Sequence, residues 1–162
     1  MIHAAPREST RDKKDLQDRQ IDSAVSAILL DASVLYFKTS RSLRHIIGPY
    51  FRAYRLLLEE QRAQLSAVID QISEHKRKMG ATVHKSVYEM IHQRSAHDTS
   101  PSCIEPLDIL DDLREDNERL LARLRDTSAI CYDCLDIATA SLVEIWIDET
   151  ARRILVLSQA VD

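Results

Sequence analysis

Asp70 and Glu74 are the first residues whose types and spacing suggest chemistry. Four positions apart on a helix, two carboxylates share one face. Such a face can hold a cation, although Asp-x-x-x-Glu alone is ordinarily a solvated surface. Cys131 and Cys134 form a Cys-x-x-Cys, a spacing used for zinc binding and for thiol redox work. No second ligand pair accompanies it, so the spacing by itself predicts structural or incidental cysteines. His3, His75, His84, His92 and His97 show no shared ligand spacing and read as surface residues. Asp133, Asp136 and Glu144 gather near one predicted turn, where they either solvate the surface or line an entry that focuses cations. Arg7, Arg11, Lys13 and Lys14 are candidates for phosphate contact, but Glu8, Asp12, Asp15 and Asp18 interrupt them. One such tail neutralises few phosphates, and only many copies acting together would bind DNA firmly.

The elements that must position these residues are helices. The chain has 162 residues, 44% apolar and 30% charged, with two glycines and four prolines. This composition fits one globular domain and excludes wholesale disorder. It also excludes Gly-rich phosphate loops and many-turned β folds. No run of eighteen apolar residues is present, and the opening MIHAAPRESTRDKKDLQDR has no apolar core, so neither a membrane span nor a signal peptide is expected. Residues 1–80 carry about four more basic than acidic residues, and residues 104–162 about eight more acidic than basic. An evenly basic nucleic-acid binder would not be polarised in this way.

Residues 1–19 are expected to be a mobile polar tail, and residues 20–162 the domain. Val25, Ile28, Ala32, Leu35 and Leu43 predict a helix over 20–47, ended by Gly48-Pro49. Phe51, Tyr54, Leu58, Leu65, Val68, Ile72 and Met79 predict a second over 51–79, capped by Gly80. A short helix is expected over 84–93. The Gly- and Pro-free stretch from Leu107 to Asp162 would be about 80 Å long as one helix, so a bend is expected near Thr127–Asp136. Asp136 then caps a last helix with Leu142, Val143, Ile145, Ile147, Ile154 and Leu157 on its apolar faces. The sum is an all-α, ferritin-like four-helix bundle with a short helix in the crossover link.

The stretch LYFKTSRSLRHIIGPYFRAYRLLLEEQ, with Asp70 and Glu74 after it, resembles the bacterial Dps family, DNA-binding proteins from starved cells. LREDNERL and DIATASLVEIWIDETARR are similar to Dps sequences as well, so the resemblance covers about residues 22–157. It implies a hollow homododecamer in the bacterial cytosol that oxidises Fe(II), stores the mineral and in several members binds DNA. It further implies an iron site shared between subunits. One subunit gives two histidines and an acid, and its neighbour gives an Asp and a Glu one helical turn apart. Iron favours that mixture of imidazole and carboxylate.

Carried over residue by residue, the acidic half is present as Glu59, Asp70 and Glu74. The imidazole half is not: Leu43 and Arg55 stand at the two histidine positions, and Arg44 replaces a tryptophan usual beside the first. His45 lies about 200° round the helix from Leu43 and does not substitute for it. A guanidinium carries no lone pair for a metal and repels a cation at close range. The resemblance therefore implies a cage of the iron-storage and DNA-protection class with weak or absent Fe(II) oxidation. Two alternatives stand beside it: an active ferroxidase using Glu59, Asp70 and Glu74, and a subunit active only in a mixed shell with an intact paralogue. The acids Asp133, Asp136 and Glu144 become candidates for a three-fold pore.

Overall fold

Two helical hairpins lie side by side. In the computed structural model, residues 7–80 and 105–161 are described, with side chains from residue 12 onward. Helices α1 (Arg7–Ser42) and α2 (Phe51–Lys78) form the first hairpin, and α3 (Pro106–Asp133) and α4 (Ile137–Val161) the second. No strand occurs among the described residues. The hairpins join chiefly through α1 on α3, while α2 touches α4 more sparingly. The helix expected over 84–93 lies outside the described residues.

The core follows the 3–4 spacing of apolar residues. Val25, Ile28, Ala32 and Leu35 of α1 meet Leu58, Leu65 and Ile72 of α2 and Leu110, Leu113 and Leu124 of α3, all essentially without exposure. An 18-residue window of α1 reaches a mean hydropathy of 1.3, enough by length and composition to cross a membrane. Its apolar face belongs to this core, which accounts for the hydropathy.

Local signals set the ends. Pro106 opens α3, where a missing N–H costs nothing. Gly80 follows α2 at φ 77°, the left-handed conformation that glycine tolerates. Asp136 caps α4 as expected: its Oδ1 accepts the Thr139 N–H at 3.0 Å. Between α3 and α4 the chain turns through Leu135 at φ 60°. The Asp136 N–H reaches Cys131 O and the Leu135 N–H reaches Tyr132 O, a Schellman closure in which leucine occupies the usual glycine place.

Two expectations are corrected. Helix α1 starts at Arg7, well before residue 20, and ends at Ser42 rather than 47. Its early turns are polar, so apolar periodicity could not reveal them. The inward face of α4 is Thr139, Ala140, Val143, Trp146, Thr150, Arg153 and Leu157. Ile145, assigned to an apolar face, is 53% exposed, whereas Arg153 is 4% exposed.

Arg153 belongs to a polar layer that crosses all four helices. Its Nε donates to Asn117 Oδ1 at 3.0 Å and its Nη2 to Thr150 Oγ1 at 2.7 Å. Asn117 Nδ2 donates to Gln61 Oε1 at 3.1 Å, and Gln61 Nε2 to Thr39 Oγ1 at 2.8 Å. Arg153 Nη1 has no hydrogen-bond partner among the described residues. Burial lowers the Arg153 pKa to about 10, against the opposing pull of Glu149.

Candidate functional site

Helix α2 carries every acid of the expected iron site. Arg55, Glu59, Ala63, Ser66, Asp70, Glu74 and Arg77 advance by three or four positions and so form one stripe along the helix. The stripe faces away from the core: Leu58, Leu65, Val68 and Ile72 occupy the opposite, buried side. Asp70 is exposed and Glu74 half-buried.

Two of these acids, Glu59 and Glu74, are already matched to cations of their own helix. Arg55 Nε donates to Glu59 Oε1 at 2.9 Å, and the Arg55 guanidinium lies 5.8 Å from the Phe51 ring centroid. Glu74 accepts from Arg77, with Lys78 Nζ 3.7 Å away. Arg55 and Asp70 are fifteen residues apart on one straight helix, about 22 Å at ~1.5 Å per residue. A single protomer therefore cannot bring the two halves together. No group of three or more His, Cys, Asp or Glu able to hold a metal occurs among the described residues.

Leu43 does not share this stripe. It sits just past the end of α1, 7% exposed, and packs in the protomer's own core with Leu35, Ile46 and Leu58. Its apolar side chain turns inward, where burial stabilises it. Arg44 and His45 are exposed beside it.

The acids near the α3–α4 turn have local work. Both carboxylate oxygens of Asp136 are taken by Thr139, the second by the Thr139 hydroxyl at 2.5 Å. That hydroxyl has one proton, so His75 Nε2, 2.9 Å from it, is the donor in their bond. Glu144 accepts from Ser128 Oγ at 2.6 Å. Asp133 is exposed. Lys13 and Lys14 line a shallow groove with Gln17, Asp18, Cys134 and Asp136. The side chains of Arg7 and Arg11 lie outside the described residues.

Sequence reasoning missed the Thr39–Gln61–Asn117–Arg153 layer. A signal was present: each of these polar residues falls at a core position in the 3–4 register of its helix.

A four-helix bundle with a stripe of carboxylates on its second helix is a ferritin-type arrangement. The model of the ferritin-like domain matches residues 23–162, and the chain belongs to that family, Ferritin. Its fold is similar to that of Dps from Thermosynechococcus elongatus, with a TM-score of 0.80 at 18% identity over 93% of this chain and 95% of that one. It is also similar to Dps from Vibrio cholerae, described as a member of a broad superfamily of ferritin-like diiron-carboxylate proteins. There the TM-score is 0.79 at 20% identity, over 91% and 92% of the two chains. Antigen TpF1 of Treponema pallidum gives 0.80 at 22% identity, over 90% and 94%. In sequence, the chain is 26% identical over 112 residues to an uncharacterized low temperature-induced protein of Nostoc sp.. That match covers 69% of this chain and 63% of the relative.

Proposed function

We propose that this chain builds a closed homo-oligomeric cage of the iron-storage and DNA-protection class, a dodecamer in the bacterial cytosol, whose shared site oxidises Fe(II) weakly or not at all. Membership of the ferritin family and the bundle's likeness to Dps subunits support the cage. The observation that carries the weak oxidation is the Arg55–Glu59 pair, at 2.9 Å. It places a permanent cation where the resemblance puts a ligand, and it engages the acid beside it.

An antiparallel pairing of two α2 helices about a two-fold axis between residues 64 and 65 sets Arg55 opposite Glu74 of the second copy. The same axis sets Glu59 opposite Asp70, and the small side chains of Ala63 and Ser66 lie near it, so the helices can approach closely. At that boundary Arg55 neutralises a carboxylate that would otherwise hold iron, and Fe(II) as substrate meets less negative charge.

The purified assembly is given Fe(II) and hydrogen peroxide while oxidation is followed optically, beside an Arg55→His variant. The wild type is expected to track the protein-free rate. Arg55→His frees Glu59 and adds an imidazole one turn from it, and it is expected to oxidise Fe(II) several-fold faster. A wild-type rate far above buffer, saturating with iron per chain, would overturn the reading.

A further inference from the structure

The α3–α4 turn holds a thiol pair that the iron reading does not use. Cys131 and Cys134 are both free; Cys131 is fully buried and Cys134 is half-buried. They are three residues apart at the end of α3, which closes at Asp133 with Cys134 as its C-cap. The Cys134 N–H still bonds Ile130 O at 3.0 Å, so both cysteines belong to one helical turn. Side chains at this spacing stand about 5–6 Å apart at Cβ. A disulfide draws Cβ atoms to about 3.8 Å. The difference is small, and it falls at a helix end beside Leu135, where only the terminal turn must tighten. Cys134 also lines the shallow groove formed with Lys13, Lys14, Gln17 and Ile21, so a small oxidant reaches it from solvent.

The geometry points to a peroxide-driven disulfide between Cys134 and Cys131 at the end of α3, with Cys134 as the thiol attacked first and Cys131 as the resolving thiol. In the first step the Cys134 sulfur attacks a hydroperoxide. An S–O bond forms, the O–O bond breaks, and the leaving oxygen departs as water or alcohol with the thiol proton. Cys134 becomes a sulfenic acid. In the second step the Cys131 sulfur attacks that sulfur. The S–S bond forms, the S–O bond breaks, and hydroxide leaves as water with the Cys131 proton. Two thiols are oxidised and one hydroperoxide is reduced. Burial, with Asp136 and Cys134 adding to it, raises the Cys131 pKa to about 11, which keeps this thiol protonated and disfavours it as the one oxidised first.

The test treats the full-length assembly with hydrogen peroxide, alkylates it after unfolding, and maps tryptic peptides. Residues 126–152 contain both cysteines and no internal cleavage site, and Cys103 falls in another peptide. The expected result is a 126–152 peptide lighter by two hydrogens and unalkylated, restored by reductant. Dimedone should label Cys134 in the Cys131→Ser variant, and Cys131 should remain unlabelled in Cys134→Ser. Alkylation at both positions after peroxide, a sulfinic acid at Cys134 without the cross-link, or a disulfide between chains would each overturn the proposal. The wild-type peptide decides the matter even if a variant fails to fold.

Discussion

At the scale of single residues, the buried layer around Arg153 separates two kinds of substitution. A guanidinium at 4% exposure with an unbonded Nη1 is costly to keep, because among the described residues no carboxylate makes an ion pair with it. Arg153→Met fills similar volume and removes that charge, but it takes away the donors to Asn117 Oδ1 and Thr150 Oγ1, so it should cost about 1–2 kcal/mol, less than stranding the guanidinium itself. Asn117→Ala removes the acceptor of Arg153 Nε and the donor to Gln61 together, leaving both unsatisfied. It should cost roughly 3 kcal/mol, since stranded buried polar groups lose their full desolvation energy. Urea midpoints of the two variants check this ordering. Cys131 supplies a pH dependence of known sign. Its folded pKa, about 11, lies above its reference value of 9.0. Its contribution is therefore complete below pH 9 and is lost as pH rises towards 11, because the folded state holds the proton more tightly. Unfolding curves of wild type and Cys131→Ala should diverge least at the alkaline end of that window.

The helices and their junctions carry the next set of consequences. Asp136 caps α4 through the Thr139 N–H, so Asp136→Ala should cost about 1 kcal/mol. Leu135, 82% exposed at φ 60°, contributes little packing and occupies a conformation that disfavours a Cβ. Leu135→Gly should leave stability unchanged or raise it by up to about 1 kcal/mol. Thermal unfolding at fixed protein concentration distinguishes the two. These junctions were legible in the sequence because their signals are local: Pro106, Gly80 and the Asp136 cap each mark an end by their own backbone chemistry. The early turns of α1 were not, because a helix made of Arg, Asp, Lys and Gln shows no apolar period. The inward face of α4 was obscured for the opposite reason. Its apolar residues cover several sides, and the choice between Ile145 and Arg153 is made by the partners Asn117 and Gln61, which are distant in sequence.

Over the described surface, several large apolar side chains stand in water. Ile47, Tyr50 and Leu56 near the first turn are each about two-thirds exposed, and Leu155 and Val156 are exposed on α4. Association of copies removes such area from water, at roughly 25 cal/mol per Å2. In the proposed pairing, the stripe on α2 adds a specific register to this association. Arg55→Glu sets like charges against Glu74 of the second copy and should shift the assembly towards smaller species in light scattering. Glu74→Arg in the same chain should restore it, whereas Glu74→Arg alone should weaken it. The acids Asp70 and Glu74 were legible because their spacing is local. Their proposed pairing across copies rests on an axis that no single chain reveals, and the inward turn of Leu43 depends on core packing.

In the proposed function, Arg55 deprives the α2 stripe of Fe(II) oxidation. The most direct test is the initial rate of Fe(II) oxidation by hydrogen peroxide in the purified wild-type assembly, at rising ratios of iron to chain. The rate is expected to follow the protein-free solution at every ratio. A fast phase that saturates at a fixed number of iron ions per chain would contradict that reading.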